Sequence, residues 1–239
     1  QNVVNNRKKY RQVYDRWELT YMGVELAFFN KKFDEEDWEA QFVFKVFNIV
    51  KGEKEKEVCN IDEKIKVSKT DNLAIIDKGW GDDEEGKFWR HGEYIWEASI
   101  DGVLVDTAKF FVQEFGVPSK TWNPYFDVLS LKTYEGPEDN VPEEDRHYLK
   151  VFNAETSRYI FGELKIVNHA KPEWLCEIFY NYFNDTGQLV GRIPVLQFIE
   201  KGDPGEDVYI ITHGWGNKNP GSWPMDEYTL EIEFMEEIV

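Results

Sequence analysis

The sequence has little of what builds a metal site, a disulfide framework or a membrane anchor. Its 239 residues include two cysteines, Cys59 and Cys176, whose spacing matches neither a disulfide framework nor a zinc site. No apolar run approaches the ~20 residues that span a bilayer, and the N-terminus has no apolar signal region. These absences predict no membrane contact and a reducing, cytoplasmic compartment. A periplasmic protein whose signal peptide had been removed would have the same features.

Positive charge is also scarce. The chain carries 28 Lys and Arg against 46 Asp and Glu, a net charge of −18, of which −12 lies in residues 117–239. Such a surface repels phosphate backbones, so nucleic acid is not an expected partner. Basic partners remain compatible with it.

The sequence shows no recognisable arrangement of catalytic residues. The sequence contains neither a Gly-x-Ser-x-Gly nucleophile turn nor a Gly-x-x-x-x-Gly-Lys phosphate loop. Among the four histidines only His213 adjoins a repeated motif, and the equivalent carboxylates Glu97 and Glu231 each stand alone. Acidic runs such as 34–37 and 82–85 lack the spacing of a calcium loop. The sequence therefore predicts no catalytic residue, no metal, no cofactor and no enzymatic activity in this segment.

What the chain does contain is a duplication. Three pairs of residues recur in the same order at nearly constant offsets: Glu25 with Glu163 at 138, Trp38 with Trp174 at 136, and Trp80 with Trp215 at 135. These offsets are far longer than the roughly 20–50 residues of a solenoid repeat. The repeat therefore indicates a duplicated domain.

Strand signals dominate both copies. Phe42, Phe44 and Val46 alternate along one face of a segment, and Asp101-Gly102 between two such segments is typical of a hairpin turn. No amphipathic helix of ten residues interrupts the pattern. We therefore predict an all-β fold: two tandem immunoglobulin-like antiparallel β-sandwiches that arose by internal duplication. The predicted bounds are 12–116 for the first domain, 117–124 for the linker and 125–239 for the second.

The second copy lacks one strand of the first. Residues Val103 to Glu114 form a final strand in copy one, whereas copy two stops at Val239, before its equivalent. Two explanations stay open: the chain is part of a longer protein, or the strand predicted at 125–134 fills that place. An unfilled edge would pair with a peptide or with a second copy, so self-association through domain two is a further expectation.

Each copy contains a Gly-Trp-Gly triplet, at 79–81 and at 214–216, and these triplets allow two interpretations. In the functional one, Trp80, Trp89, Trp215 and Trp223 form aromatic recognition platforms; in the structural one, each Trp covers the end of its own sandwich. The remaining shared residues are predicted to be structural. Two of them, Tyr94 and Tyr228, are expected to tie a corner of their sandwich to the backbone. The full set is Trp38, Trp174, Tyr94, Tyr228, Gly79, Gly81, Gly214 and Gly216.

The duplicated order of aromatic strand, Gly-Trp-Gly, Gly-x-Trp and Tyr-bearing strand resembles a known region. It is similar to the tandem β-sandwiches that precede an AAA+ ATPase module in large proteins of Bacteroidetes-type bacteria. The matching segments are Trp38–Asn48, Gly79–Gly81, Glu93–Gly102, Asn123–Gly136, Arg158–Asn168, Trp174–Gly187 and Gly214–Phe234.

The resemblance carries no catalytic residue onto this chain and places the ATPase motifs beyond Val239. It implies a non-catalytic adaptor, the N-terminal part of a longer protein, whose partners are other proteins or other domains of the same chain. The alternative is a carbohydrate-binding module or glycan-active protein that uses exposed tryptophans.

Overall fold

The structure, a computed structural model, describes residues 3–4, 7–8, 10–169, 172–201 and 207–239. The chain divides into two compact units: unit 1 ends at Glu114 and unit 2 begins at Phe115. Nearly all of the regular structure is β-strand, which confirms the predicted all-β sandwich fold. The segment 117–124, predicted as a linker, lies within unit 2.

Unit 1 is a β-sandwich and also contains a separate antiparallel pair of two-residue strands, β1 and β2. Its elements are β1 (Val3–Val4), β2 (Arg7–Lys8), β3 (Val13–Asp15), the 3-10 turn η1 (Arg16–Glu18), β4 (Tyr21–Phe29), β5 (Trp38–Val50), β6 (Glu53–Val67), β7 (Leu73–Gly81), β8 (Gly92–Ile100) and β9 (Val103–Gln113). One sheet has the order β3-β9-β8-β5-β6 and the other pairs β4 with β7. The alternation predicted on β5 is confirmed, because Phe42, Phe44 and Val46 are at most 1% exposed.

One strand pair of unit 1 departs from the antiparallel prediction. β3 runs parallel to the end of β9, with Val13 opposite Phe111. The chain then leaves this sheet at a capping box: the Asp15 side chain accepts from the backbone of Trp17, and Glu18 accepts from the backbone of Asp15. A three-residue strand that ends in a capped turn has no period-two signature, so alternation alone could not reveal it.

Unit 2 repeats the sandwich with one strand moved. Its elements are β10 (Phe126–Gly136), the 3-10 turn η2 (Glu143–Asp145), β11 (Tyr159–Asn168), β12 (Trp174–Phe183), β13 (Leu189–Ile199), β14 (Val208–Gly216), β15 (Thr229–Phe234) and β16 (Glu237–Ile238). The sheets have the orders β10-β11-β14 and β13-β12-β15-β16. Strands β4 to β9 therefore correspond in order to β11 to β16.

The correspondence extends to the register. Phe42 of β5 lies opposite Ile100 of β8, and their counterparts Ile178 and Phe234 lie opposite each other on β12 and β15. The predicted turn at Asp101-Gly102 is confirmed, with both residues at positive φ and Ile100 paired with Val103.

The strand predicted at 125–134 does not lie beside β15; the two-residue β16 does, so the expectation that copy two stops before the counterpart of β9 is also wrong. The predicted strand forms β10, which pairs with β11 from Phe126 opposite Asn168 to Gly136 opposite Tyr159, in the sheet that does not contain β15. Burial of Phe126 against Trp174 and Phe234 fixes it there. That explanation for the short second copy is therefore wrong.

Candidate functional site

The outer glycine of each triplet allows two strands to approach closely. Gly81 lies opposite Tyr21 and Gly216 opposite Tyr159. A Cβ on Gly81 would lie 1.9 Å from the carbonyl oxygen of Thr20, and one on Gly216 would lie 2.1 Å from that of Arg158. A side chain at either position would force the strands apart, so these glycines serve the fold.

The inner glycines of the triplets differ. A Cβ on Gly214 would lie 2.7 Å from the ring of Phe161, whereas one on Gly79 would meet no atom closer than 3.6 Å. Of these two inner glycines, Gly214 is therefore the one that side-chain packing requires.

The second tryptophan of each copy is a buried structural residue. Trp89 is 1% exposed and donates its indole N–H to the Trp80 carbonyl at 3.2 Å; Trp223 is 7% exposed and donates to the Arg158 carbonyl at 2.9 Å. Each meets its neighbouring tyrosine edge-on, Trp89 with Tyr94 at 5.4 Å and Trp223 with Tyr228 at 5.1 Å. Neither ring offers a free face for stacking on a ligand.

Both tyrosines make a corner bond. The hydroxyl of Tyr94 donates to the Arg90 carbonyl at 3.0 Å, and that of Tyr228 donates to the Pro224 carbonyl at 3.2 Å. In each copy the bond reaches back four residues and holds the loop that carries the buried tryptophan.

The tryptophans within the triplets are more accessible. Trp80 is 37% exposed. Trp215 is partly buried and meets Trp223 edge-on at 4.7 Å, with Tyr182 at 5.5 Å. The structure thus places three of the four predicted platform residues inside aromatic clusters and leaves Trp80 partly open.

The leading tryptophans each bond to an asparagine at the end of the preceding strand, after β4 in unit 1 and at the end of β11 in unit 2. The indole N–H of Trp38 donates to the Asn30 side chain at 2.9 Å, and that of Trp174 donates to the Asn168 side chain at 3.0 Å. Asn30 and Asn168 are 5% and 7% exposed. The same indole-to-asparagine bond therefore recurs in both units.

A groove in unit 2 is the candidate binding site. Its volume is about 590 Å³, and it lies between segment 150–157 and segment 223–228. Ile160, Tyr182 and Leu230 contribute apolar lining beneath them. Such a concave, mainly apolar site with a few polar groups is the usual form of a binding site. Sequence reasoning identified Trp223 and Tyr228 as shared residues but not the groove itself.

Hydrogen bonds hold the first wall of the groove. Ser157 is fully buried, donates its hydroxyl to Glu135 at 3.0 Å and bonds through its N–H to the Asn153 carbonyl at 2.8 Å. At the other end, the Leu149 N–H donates to the Thr133 carbonyl at 2.8 Å. The wall is therefore tied to β10 at both ends.

The rim of the groove has an apolar residue on both sides, and the side formed by 223–228 also carries the acidic residues Asp226 and Glu227. Val151 is 85% exposed and Met225 is 96% exposed. Burial first, and then the negative charges of Asp226 and Asp185, raise the pKa of the Tyr228 hydroxyl. A partner with apolar residues and a positive charge would complement this rim.

A buried ion pair of unit 2, between Arg146 and Glu163, is structural. Glu163, 3% exposed, accepts from Arg146 at 2.8 Å and from the Tyr148 hydroxyl at 2.7 Å. In unit 1 its counterpart Glu25 accepts from the hydroxyl of Tyr10 at 2.7 Å. A tyrosine from the preceding segment thus satisfies the same carboxylate in both copies.

The residues set aside on sequence grounds do not assemble into a metal site. Across the described ranges, no three His, Cys, Asp or Glu side chains are grouped so that they could hold a metal ion. His213 is exposed and its Nδ1 lies 3.1 Å from the Gly214 carbonyl oxygen, and Glu97 forms an ion pair with Lys54. In the same part of the chain, no helix is long and apolar enough to cross a membrane.

Comparisons with known proteins find a remote structural likeness. No protein-family model matches the chain, and no curated protein does. Among solved structures, the chain is similar to one titled as the crystal structure of red sea bream transglutaminase, with a TM-score of 0.33 and 10% identity over 92% of this chain and 27% of that one. The chain thus spans about a quarter of that protein, and a likeness this remote says nothing about activity.

Proposed function

We propose that this chain is a non-catalytic protein-binding module and that the groove of unit 2 is its binding site. The observation that carries the proposal is the rim: Val151 and Met225 expose most of their apolar surface beside a concave apolar lining. Exposed apolar surface grouped around a pocket marks interaction sites far more often than scattered single residues do.

A protein ligand fits the groove better than a sugar does. Stacking on a sugar needs an aromatic ring with one free face, whereas the groove tryptophan, Trp223, is buried and enclosed edge-on by Trp215 and Tyr228. Of the four tryptophans predicted as platforms, Trp80 is therefore the one left for the carbohydrate alternative, and Trp17 and Trp122 are exposed as well.

The resemblance to regions that precede an AAA+ ATPase extends the proposal. On that basis the module recruits a protein for an ATPase on the same chain. Reading the coding sequence beyond Val239 tests this extension independently of the groove: an ATPase module there supports it, and its absence rejects it.

The binding function is tested by selecting peptides from a random display library on the whole chain. Selected peptides should lose at least tenfold in affinity for Met225→Asp, because the substitution places a charge on the apolar rim. Val103→Asp is the matched control, since Val103 is 65% exposed in unit 1 and should have no effect. If every selected peptide binds both variants equally, or if only a glycan array gives binding and Trp80→Ala abolishes it, the proposal is wrong.

A further inference from the structure

The outer face of the larger sheet differs between the two units. In unit 1 this face is charged where β5 meets β6. Glu39 of β5 lies opposite Lys66 of β6 and forms an ion pair with Lys64 at 2.6 Å. Lys66 in turn forms an ion pair with Asp37 at 2.7 Å, and all four residues are exposed. Opposite charges arranged across two strands are typical of a sheet face that meets solvent.

In unit 2 the corresponding residues are apolar. Leu175 of β12 and Phe198 of β13 lie opposite each other and are the counterparts of the opposed glutamate and lysine. Leu196 is the counterpart of the second lysine. Leu196 is 44% and Phe198 50% exposed, and Leu175 is half-buried. Opposite residues and residues two apart share one face of a strand pair, so these three side chains form one surface, the β13 patch.

The exposure of the β13 patch results from the identity of its residues. The patch lies on a hairpin within the chain, and the same place in unit 1 faces solvent. None of its three residues lines the groove between 150–157 and 223–228. A place that carries ion pairs in unit 1 and neighbouring apolar side chains in unit 2 indicates a contact surface that belongs to unit 2 alone.

The shape of the β13 patch favours a helix laid across the sheet. β13 is an edge strand, but Pro194 stands in the middle of it, and a proline offers no N–H to an added strand. The patch is also narrow, because the next outward residue along β12 is acidic, Glu177. A single amphipathic helix presents one apolar stripe of this width and packs on a sheet face as a second layer.

The charge of unit 2 selects the polar side of that helix. Glu173 and Glu200 are exposed and follow directly on the pair formed by Trp174 and Ile199, at the end of β12 and β13 that carries the patch. Residues 117–239 have a net charge of −12. Basic residues beside the apolar stripe complement this surface, whereas a second copy of the chain would bring like charges together.

We propose that the β13 patch binds a basic amphipathic helix of a protein partner. Apolar residues of the helix cover Leu196 and Phe198, and its lysines or arginines face Glu173 and Glu200. This second contact surface goes beyond the proposed function and does not depend on the groove.

The probes are two display libraries of helical peptides with randomised apolar residues along one stripe. Lysine forms the polar side in one library and glutamate in the other, and we expect the whole chain to select binders from the lysine library only. Their affinity, measured by fluorescence anisotropy, should fall at least about tenfold for the double variant Leu175→Glu, Phe198→Lys. This variant installs the opposed pair that unit 1 carries at the same place, so it should fold.

Three further variants make the test specific. Leu196→Lys, which installs the second lysine of unit 1, should weaken binding in the same way and keeps the test informative if the double variant is unstable. Ile75→Lys is the matched control, because Ile75 is 52% exposed on a strand of unit 1 and lysine there should leave affinity unchanged. Met225→Asp should also leave these binders unchanged, because Met225 belongs to the groove.

Several results would overturn the inference. Failure to select binders from the lysine library, or equal selection from both libraries, would reject a basic helix as the partner. Binders that tolerate both the double variant and Leu196→Lys contact another surface. Binders that depend on Met225 instead belong to the groove, which rejects this inference and supports the proposed function. A dimer in sedimentation velocity that the double variant abolishes would assign the β13 patch to a second copy.

Discussion

Removing the charge of Glu163 should destabilise unit 2 strongly. This carboxylate lies on β11, is 3% exposed and accepts from Arg146 and Tyr148. Glu163→Gln leaves a guanidinium whose side chain is 11% exposed without its counter-ion. Breaking a buried pair on one side costs about 3–5 kcal/mol. Both hydrogen bonds go to the same oxygen, Oε2, which the oxygen of a glutamine can replace. We therefore expect a loss of about 2–4 kcal/mol in the free energy of unfolding.

The two buried cysteines allow the stability of each unit to be measured separately. Cys59 belongs to unit 1 and Cys176 to unit 2, and both are free. Pulsed thiol labelling across a urea series should show an earlier midpoint for Cys176 in the Glu163→Gln chain, by about 1–2 M for a slope of about 2 kcal/mol per M. The midpoint for Cys59 should stay where it is.

Glu25→Gln is the matched control. Glu25 holds the equivalent position in unit 1, and the hydrogen bond that it accepts from the Tyr10 hydroxyl is exposed to solvent. The cost of this substitution should be about 1 kcal/mol or less and should fall on Cys59. If Glu163→Gln costs less than 1 kcal/mol, or if both thiols shift together, the assignment of a buried, unit-specific ion pair is wrong. Replacing both partners, with Glu163→Leu and Arg146→Met, should recover part of the loss.

Three further predictions concern the triplet glycines, the tyrosines and the thiols. Gly81→Ala should cost about 2 kcal/mol or more in thermal unfolding while Gly79→Ala is tolerated, and equal effects would contradict the close approach of β7 to β4. Burial raises the pKa of tyrosines in unit 2 such as Tyr182, so the stability they provide is full below about pH 10 and falls as the pH rises further. Each such tyrosine adds a slope of about 1.4 kcal/mol per pH unit, and phenolate absorbance should appear together with unfolding rather than before it. Burial raises the pKa of the Cys59 thiol to about 11 and also raises that of Cys176, so neither should react with a thiol reagent at pH 8 until its unit unfolds; fast labelling of native protein would refute their burial.

The fold could be predicted from the sequence wherever a local pattern decides the structure. The alternation of Phe42, Phe44 and Val46 predicted a half-buried strand, and Asp101-Gly102 predicted its hairpin. Two features of the fold depend on choices that local pattern does not make. β3 is too short to show a period, and β10 joined β11 instead of the edge of β15, because the burial of Phe126 against Trp174 is a tertiary contact.

The candidate site could not be predicted from the sequence, because it too depends on tertiary contacts. Its walls, 150–157 and 223–228, lie about seventy residues apart in the chain, and each mixes apolar with polar residues. Val151 and Met225 were the available signal, since each is an apolar residue in one of these segments. Nothing in the sequence alone shows that they face one groove.

The comparison of the two copies shows why the shared residues were poor guides to function. Residues present in both copies solve a problem that both copies have: Gly81 and Gly216 let strands meet, and Trp89 and Trp223 close one end of a sandwich. The groove of unit 2 lies between segments 150–157 and 223–228, and few of the residues that line it belong to the shared set. In a duplicated protein, therefore, the residues in common identify the fold, and a candidate site is better sought among the residues that belong to one copy alone.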